Sequence, residues 1–108
     1  MADPVVCLVT TPPERARSIA EALVASELVA CVNIVASVQS VYRWKGAVEH
    51  DEDALLVMKT TRAAVAALND ALAELHPYET FELVALDVAG GAPEYLAWIS
   101  ASVALPEA

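Results

Sequence analysis

His76 is the side chain best suited to hold a metal ion. A neutral imidazole nitrogen binds copper well, and the carboxylates Glu79 and Glu82 follow shortly after it. A lone histidine makes a poor site because specific metal sites use several ligands. We therefore expect weak binding, helped by these carboxylates or by a second subunit. The alternative is a structural role, since a charged histidine at the C-terminus of a helix favours the helix dipole.

A second group of residues combines aromatic rings with one cation. Such rings can line a cleft between subunits and, with a lysine, hold a small anion or an amphipathic ligand. The alternative is that Tyr42 and Trp44 only anchor a subunit interface, a role that aromatic side chains often take. The candidate cleft residues are Cys31, Tyr42, Trp44, Lys59, Tyr78, Glu79 and Trp98.

The two cysteines are isolated from each other and form no CxxC motif. Cys31 is a soft ligand or a reactive thiol if it is exposed, and a small hydrophobic residue if it is buried. Cys7 lies in an apolar run, and we expect it to be inert. The acidic stretch that starts at His50 matches no calcium loop and indicates surface charge.

Catalytic motifs are absent from the sequence. It contains no HExxH, no P-loop and no GxGxxG. Cys31 and His76 could serve as nucleophile and base, but nothing in the sequence brings them into contact. These observations favour a binding or assembly protein over an enzyme.

Composition narrows the function further. The net charge is −9, whereas nucleic-acid binding needs a basic face. The apolar fraction is 57%, above the ~45–50% of ordinary globular domains, yet no run approaches the ~18 apolar residues of a membrane span. The excess suggests burial between subunits. Because the first residues carry neither a basic nor an apolar segment, we expect no signal peptide and a cytoplasmic location.

Hydrophobic periodicity predicts the order β-α-β-β-α-β followed by a short helix. Thr11 and Glu14 have the spacing of a capping box for the first helix, and Thr60-Thr61 could cap the second, which His76-Pro77 ends. Lys45-Gly46 predicts a turn between two long strands, with a bulge near Ala36-Ser37. The predicted strands cover 5–9, 31–44, 47–60 and 81–88, the last helix opens at Pro93, and the tail from Leu105 is expected to be frayed.

This order is the split βαβ pattern of ferredoxin-like folds. We predict one α+β domain over residues 1–108, a ferredoxin-like sandwich with an extra C-terminal helix. Two helices cover only one face of the sheet, so the other face and the long hairpin form an association surface. The first strand should lie beside the third and fourth, with the second at an edge. Cys7 and Cys31 are then too far apart for a disulfide.

Five local segments, in this order and at these spacings, resemble the CutA family of divalent-cation tolerance proteins over roughly residues 5–102. Each segment alone is weak evidence, whereas five in register are strong. They are Leu28-Val29-Ala30-Cys31-Val32-Asn33, Tyr42-Arg43-Trp44-Lys45-Gly46, Lys59-Thr60-Thr61, His76-Pro77-Tyr78-Glu79-Thr80 and Tyr95-Leu96-Ala97-Trp98-Ile99.

The resemblance implies a homotrimer that exchanges long strands and acts in the tolerance of divalent cations, copper especially. We expect no required cofactor, and weak copper binding at most. Trimeric PII signalling proteins have a similar architecture, which makes a small-ligand sensor the alternative function. Some copper-binding members carry a cysteine and a histidine where this chain has Val9 and Leu75. Phe81 stands where the family usually has proline. Only His76 remains of that ligand set.

Overall fold

Four strands and three helices follow one another in the predicted order β-α-β-β-α-β-α. The computed structural model describes residues 3–104, so the expected fraying of the tail from Leu105 lies outside the described residues. The strands are β1 (Pro4–Thr11), β2 (Cys31–Trp44), β3 (Ala47–Thr61) and β4 (Val84–Asp87). The helices are α1 (Ala16–Ala25), α2 (Val65–Leu75) and α3 (Pro93–Ser102). None of them, within residues 3–104, is long and apolar enough to cross a membrane.

The strands form one antiparallel sheet in the order β2-β3-β1-β4. This order confirms the predicted α+β ferredoxin-like arrangement, with β2 at an edge. Cys7 lies opposite Met58 on one side of β3, and Cys31 lies opposite Lys59 on its other side. Two strand spacings, about 10 Å, therefore separate the cysteines, and both are free thiols.

The core lies between one face of the sheet and the helices α1 and α2. Alternate residues of β1, from Val5 to Thr11, are buried on this face, as the two-residue period of a strand requires. Ile19 of α1 and Leu68 of α2 belong to the same buried cluster. Burial raises the pKa of the Cys7 thiol, which agrees with the expectation that Cys7 is inert.

The opposite face of the sheet carries a continuous apolar surface. Val6 lies between Leu86 and Lys59, and Leu8 lies between Val84 and Val57. Val84 and Leu86 are nearly half exposed. We call this surface the open face, and its apolar residues are Val6, Leu8, Leu55, Val57, Val84 and Leu86.

Two predicted helix caps are wrong because the threonines belong to strands. Thr11 is the last residue of β1, pairs with Ala54 and donates to the Pro12 carbonyl at 2.9 Å. The Thr60 hydroxyl donates to the Leu28 carbonyl at 2.6 Å. A short 3-10 helix precedes α1 and another precedes α2 instead, both without a side-chain cap. The last strand is also shorter than the predicted 81–88, because β4 pairs only with residues 5–8 of β1.

The long hairpin has the predicted bounds to within one residue. Its register shifts between Val35 and Val38, which confirms the bulge. At the tip, Lys45 and Gly46 have φ values of 48° and 81°. Positive φ at both central residues matches the right-handed twist of the strands they connect.

Gly46→Ala should lower the free energy of unfolding by about 1–2 kcal/mol, because a β-carbon is strained in the left-handed region. No atom lies within 4 Å of the added carbon, so the cost is conformational and not steric. Gly90→Ala is the control, since Gly90 is equally open and lacks the left-handed φ. Urea denaturation of both variants measures the difference, and equal stabilities would contradict the assigned turn.

Candidate functional site

His76 is placed by the end of α2. The helix stops at Leu75, and His76 takes an extended backbone (ψ 136°) while its N–H still donates to the Leu72 carbonyl. Pro77 follows and prevents further helix. The His76 side chain is only 6% exposed, so it points into the protein beneath the loop that follows.

Both ring nitrogens of His76 are hydrogen-bonded. The Tyr78 backbone N–H donates to Nδ1 at 3.1 Å, so Nδ1 carries no proton. Nε2 then carries the proton and donates to the Thr10 carbonyl at 2.8 Å. The ring also contacts those of Phe81 and Tyr78, each with a centroid distance of 5.2 Å. His76 therefore ties the loop at 77–81 to the end of β1.

This loop and the long hairpin enclose a cavity of about 680 Å³. We call it the aromatic–acidic cavity. Four of its lining residues are aromatic or phenolic and four are carboxylates, and no lysine, arginine or histidine lines it. The lining residues are Tyr42, Trp44, Asp51, Asp53, Pro77, Tyr78, Glu79, Thr80, Phe81 and Glu82.

Negative charge dominates the electrostatics of the cavity. Asp53 is only 7% exposed and accepts a hydrogen bond from the Ser40 hydroxyl at 2.6 Å. The Tyr42 hydroxyl donates to Asp51, and this bond raises the pKa of Tyr42 to about 12. Partial burial raises the pKa of Tyr78, and the charges of Asp53 and Asp51 raise it further.

Comparison with known proteins identifies the family. The profile described as CutA1 divalent ion tolerance protein matches residues 5–102. The chain belongs to the CutA1 family. The divalent-cation tolerance protein CutA of Thermus thermophilus is 50% identical over 95 residues, which are 87% of this chain and 92% of that protein.

Other members of the CutA1 family include longer proteins and one described as PII-like. Mouse protein CutA is 44% identical over 84% of this chain, which spans only 52% of the mouse protein. The solved CutA1 structure from Thermus thermophilus has a TM-score of 0.91 at 46% identity, covering 94% of this chain and 99% of that one. A structure from Nostoc, described as a PII-like protein CutA, has a TM-score of 0.88 at 35% identity, with coverages of 94% and 99%.

Within the CutA1-family subunit, the predicted cleft residues fall into two groups. Tyr42, Trp44, Tyr78 and Glu79 line the aromatic–acidic cavity. The others cluster around the opposite end of β3, where Lys59 donates to Asn33 and lies opposite Cys31.

Around Cys31, a second contact set forms apart from the cavity. The Cys31 sulfur lies 3.6 Å from the Tyr95 hydroxyl, and this contact raises the pKa of Tyr95. Tyr95 in turn stacks on Trp98, with ring centroids 5.5 Å apart. A single cleft that unites both groups across subunits stays a prediction.

Asp51 and Asp53 are the cavity residues that sequence reasoning assigned to exposed surface. The two-residue period of a strand could have placed both side chains together, because residues 51 and 53 point to the same side of β3. Their strand partners include the polar Ser40, opposite Asp51. The register of the hairpin therefore predicts a carboxylate beside hydroxyl groups at this position.

Proposed function

We propose that this CutA1-family chain acts in divalent-cation tolerance, principally towards copper, as a cytoplasmic homotrimer that binds its ligand and catalyses no reaction. The observation that carries the proposal is the family match from residue 5 to residue 102. A relative named a divalent-cation tolerance protein shares half of the aligned residues. We infer the cellular role of this chain from its membership of that family.

The open face supports the trimer. Its six apolar residues lie on three adjacent strands, and Val84 and Leu86 at its β4 side are nearly half exposed. β2 and β4 also leave unpaired edges at the two sides of the sheet. Apolar faces and free strand edges are the surfaces through which subunits associate.

Copper binding at His76 should be weak, for three reasons. Val9 and Leu75 carry hydrocarbon side chains without a donor atom, so neither position supplies a metal ligand. The Nδ1 lone pair of His76 is already used by the Tyr78 N–H, and a metal ion must displace that bond. In addition, no group of three or more His, Cys, Asp or Glu side chains among residues 3–104 is arranged to hold a metal ion.

His76→Ala should reduce copper affinity if the imidazole is the ligand. The measurement is calorimetric titration of copper into wild type and variant at one pH above neutrality, where carboxylates are ionised in both. His50→Ala removes the other histidine and serves as the control. Unchanged affinity in His76→Ala would exclude this residue, and copper tolerance would then have to act through other groups.

A PII-like sensor of small ligands is the second candidate. Two observations favour it: the resemblance to the Nostoc protein described as PII-like and the presence of a ligand-sized cavity. Titration with nucleotides separates this candidate from metal binding. Nucleotide binding without copper binding would favour the sensor.

A further inference from the structure

We propose that the aromatic–acidic cavity binds a small organic cation of the quaternary ammonium class. The inference goes beyond metal tolerance, because it concerns a different ligand and residues other than His76. Its basis is the combination of ring faces with carboxylates in one concavity. The volume of about 680 Å³ lies within the ~300–1,000 Å³ of ordinary small-molecule sites.

Charge complementarity selects a cation. Asp51, Asp53, Glu79 and Glu82 line the cavity without any basic neighbour in the lining. Among residues 3–104, the ion pairs are those of Arg62 with Asp3 and Asp87, away from these carboxylates. None of the four carboxylates is therefore ion-paired within residues 3–104. An anionic ligand, which the predicted cleft with its lysine favoured, would meet repulsion here.

The aromatic walls select an organic cation. Trp44 and Tyr78 are each about half exposed, so their rings are accessible, and ring faces attract alkylated ammonium groups. Lys45 Nζ lies 5.8 Å from the centre of the Trp44 ring, within the distance of about 6 Å at which ring faces attract ammonium groups. A hydrated metal ion gains little from such walls.

The arrangement of the carboxylates favours a diffuse charge over a compact one. They form no group that could surround a metal ion, and two of them already accept hydrogen bonds, Asp51 from Tyr42 and Asp53 from Ser40. A quaternary ammonium needs no hydrogen-bond acceptor because it has no N–H. It carries its charge on methyl groups that contact rings and carboxylates together.

The test uses proton NMR of the native oligomer with choline chloride as the probe. The chain has two tryptophans, and Trp44→Leu and Trp98→Leu assign the two indole N–H signals. Choline should shift the signal of Trp44 and leave that of Trp98 unchanged. The neutral compound 3,3-dimethyl-1-butanol has the same shape without the charge and should give a much smaller shift. Ethanolamine, which lacks the methyl groups, should bind more weakly than choline.

Substitutions measure the two contributions separately. Trp44→Leu should weaken choline binding about 2- to 30-fold, whereas Trp98→Leu, at a similarly exposed tryptophan, should not. Glu79→Gln, at an exposed carboxylate of the lining, should weaken it about 2- to 5-fold, and Asp70→Asn at an exposed position of α2 controls for net charge.

Three results would overturn the proposal: an equal shift with the neutral compound, tighter binding of ethanolamine, or no shift of Trp44 with choline. The last result is also expected if a second copy of the chain fills the cavity. Either tryptophan variant alone assigns both signals, and the comparison of ligands is then made on wild-type protein, so it holds even if the other variant fails to fold.

Discussion

Leu86→Asp should leave the subunit folded and abolish its assembly. Leu86 is 46% exposed in the single chain, so a carboxylate there stays in water as long as the subunit is alone. In a trimer that buries the open face, the same carboxylate would be taken from water without a partner, and burying an unpaired ion costs several kcal/mol even after the protein relaxes. The dissociation constant should therefore rise at least about 100-fold.

Sedimentation equilibrium and circular dichroism together check this result. The expected outcome is a monomer by mass with an unchanged far-ultraviolet spectrum. Val24→Asp is the matched control, because Val24 is 42% exposed on α1, which lies on the opposite side of the sheet. A Leu86→Asp variant that sediments as wild type would remove the open face from the interface. A wild-type monomer would refute the trimer itself.

The hairpin shows where sequence patterns determine structure well. Two long runs rich in β-branched residues flank Lys45-Gly46, and the strands begin and end within one residue of the predicted bounds. The pattern is informative because the turn residues need positive φ, which few sequences provide. Proline also predicted correctly where α2 ends and where α3 begins.

At the starts of α1 and α2, the pairing of strands overrides the local capping patterns. Thr11 and Glu14 have the spacing of a capping box, yet β1 extends through Thr11 because β3 offers Ala54 as its partner. Thr60 similarly donates across to Leu28. A side chain can bond its own turn or a distant carbonyl, and only the assembled sheet decides between them.

The residues predicted to line one cleft lie at two ends of β3, because this strand is too long for them to meet. Asp51 and Lys59 are on the same strand, eight residues apart, which at about 3.3 Å per residue is about 26 Å. Residues near the hairpin tip therefore cannot meet Lys59 within one subunit. The sequence identifies the residue types of the site. Only the pairing of the strands shows that these residues lie at two ends of the sheet.

His76→Ala should lower the free energy of unfolding by about 2–5 kcal/mol, because it removes a buried ring together with two partly buried hydrogen bonds. The Thr10 carbonyl loses the Nε2 proton, and the Tyr78 N–H loses the Nδ1 acceptor. The stacked contact with Phe81 is lost as well. Urea denaturation without metal measures the change.

His50→Ala is the control for this prediction, since it makes the same substitution at an exposed position of β3. Its effect should stay within about 0.5 kcal/mol. If His76→Ala costs no more than His50→Ala, the two hydrogen bonds of the imidazole are not maintained in solution. The Nδ1 lone pair would then be free, and copper would meet no competing bond at His76. A large loss of stability in His76→Ala, together with weak copper binding by wild type, would instead support the competition of the Tyr78 N–H and the metal ion for the Nδ1 lone pair.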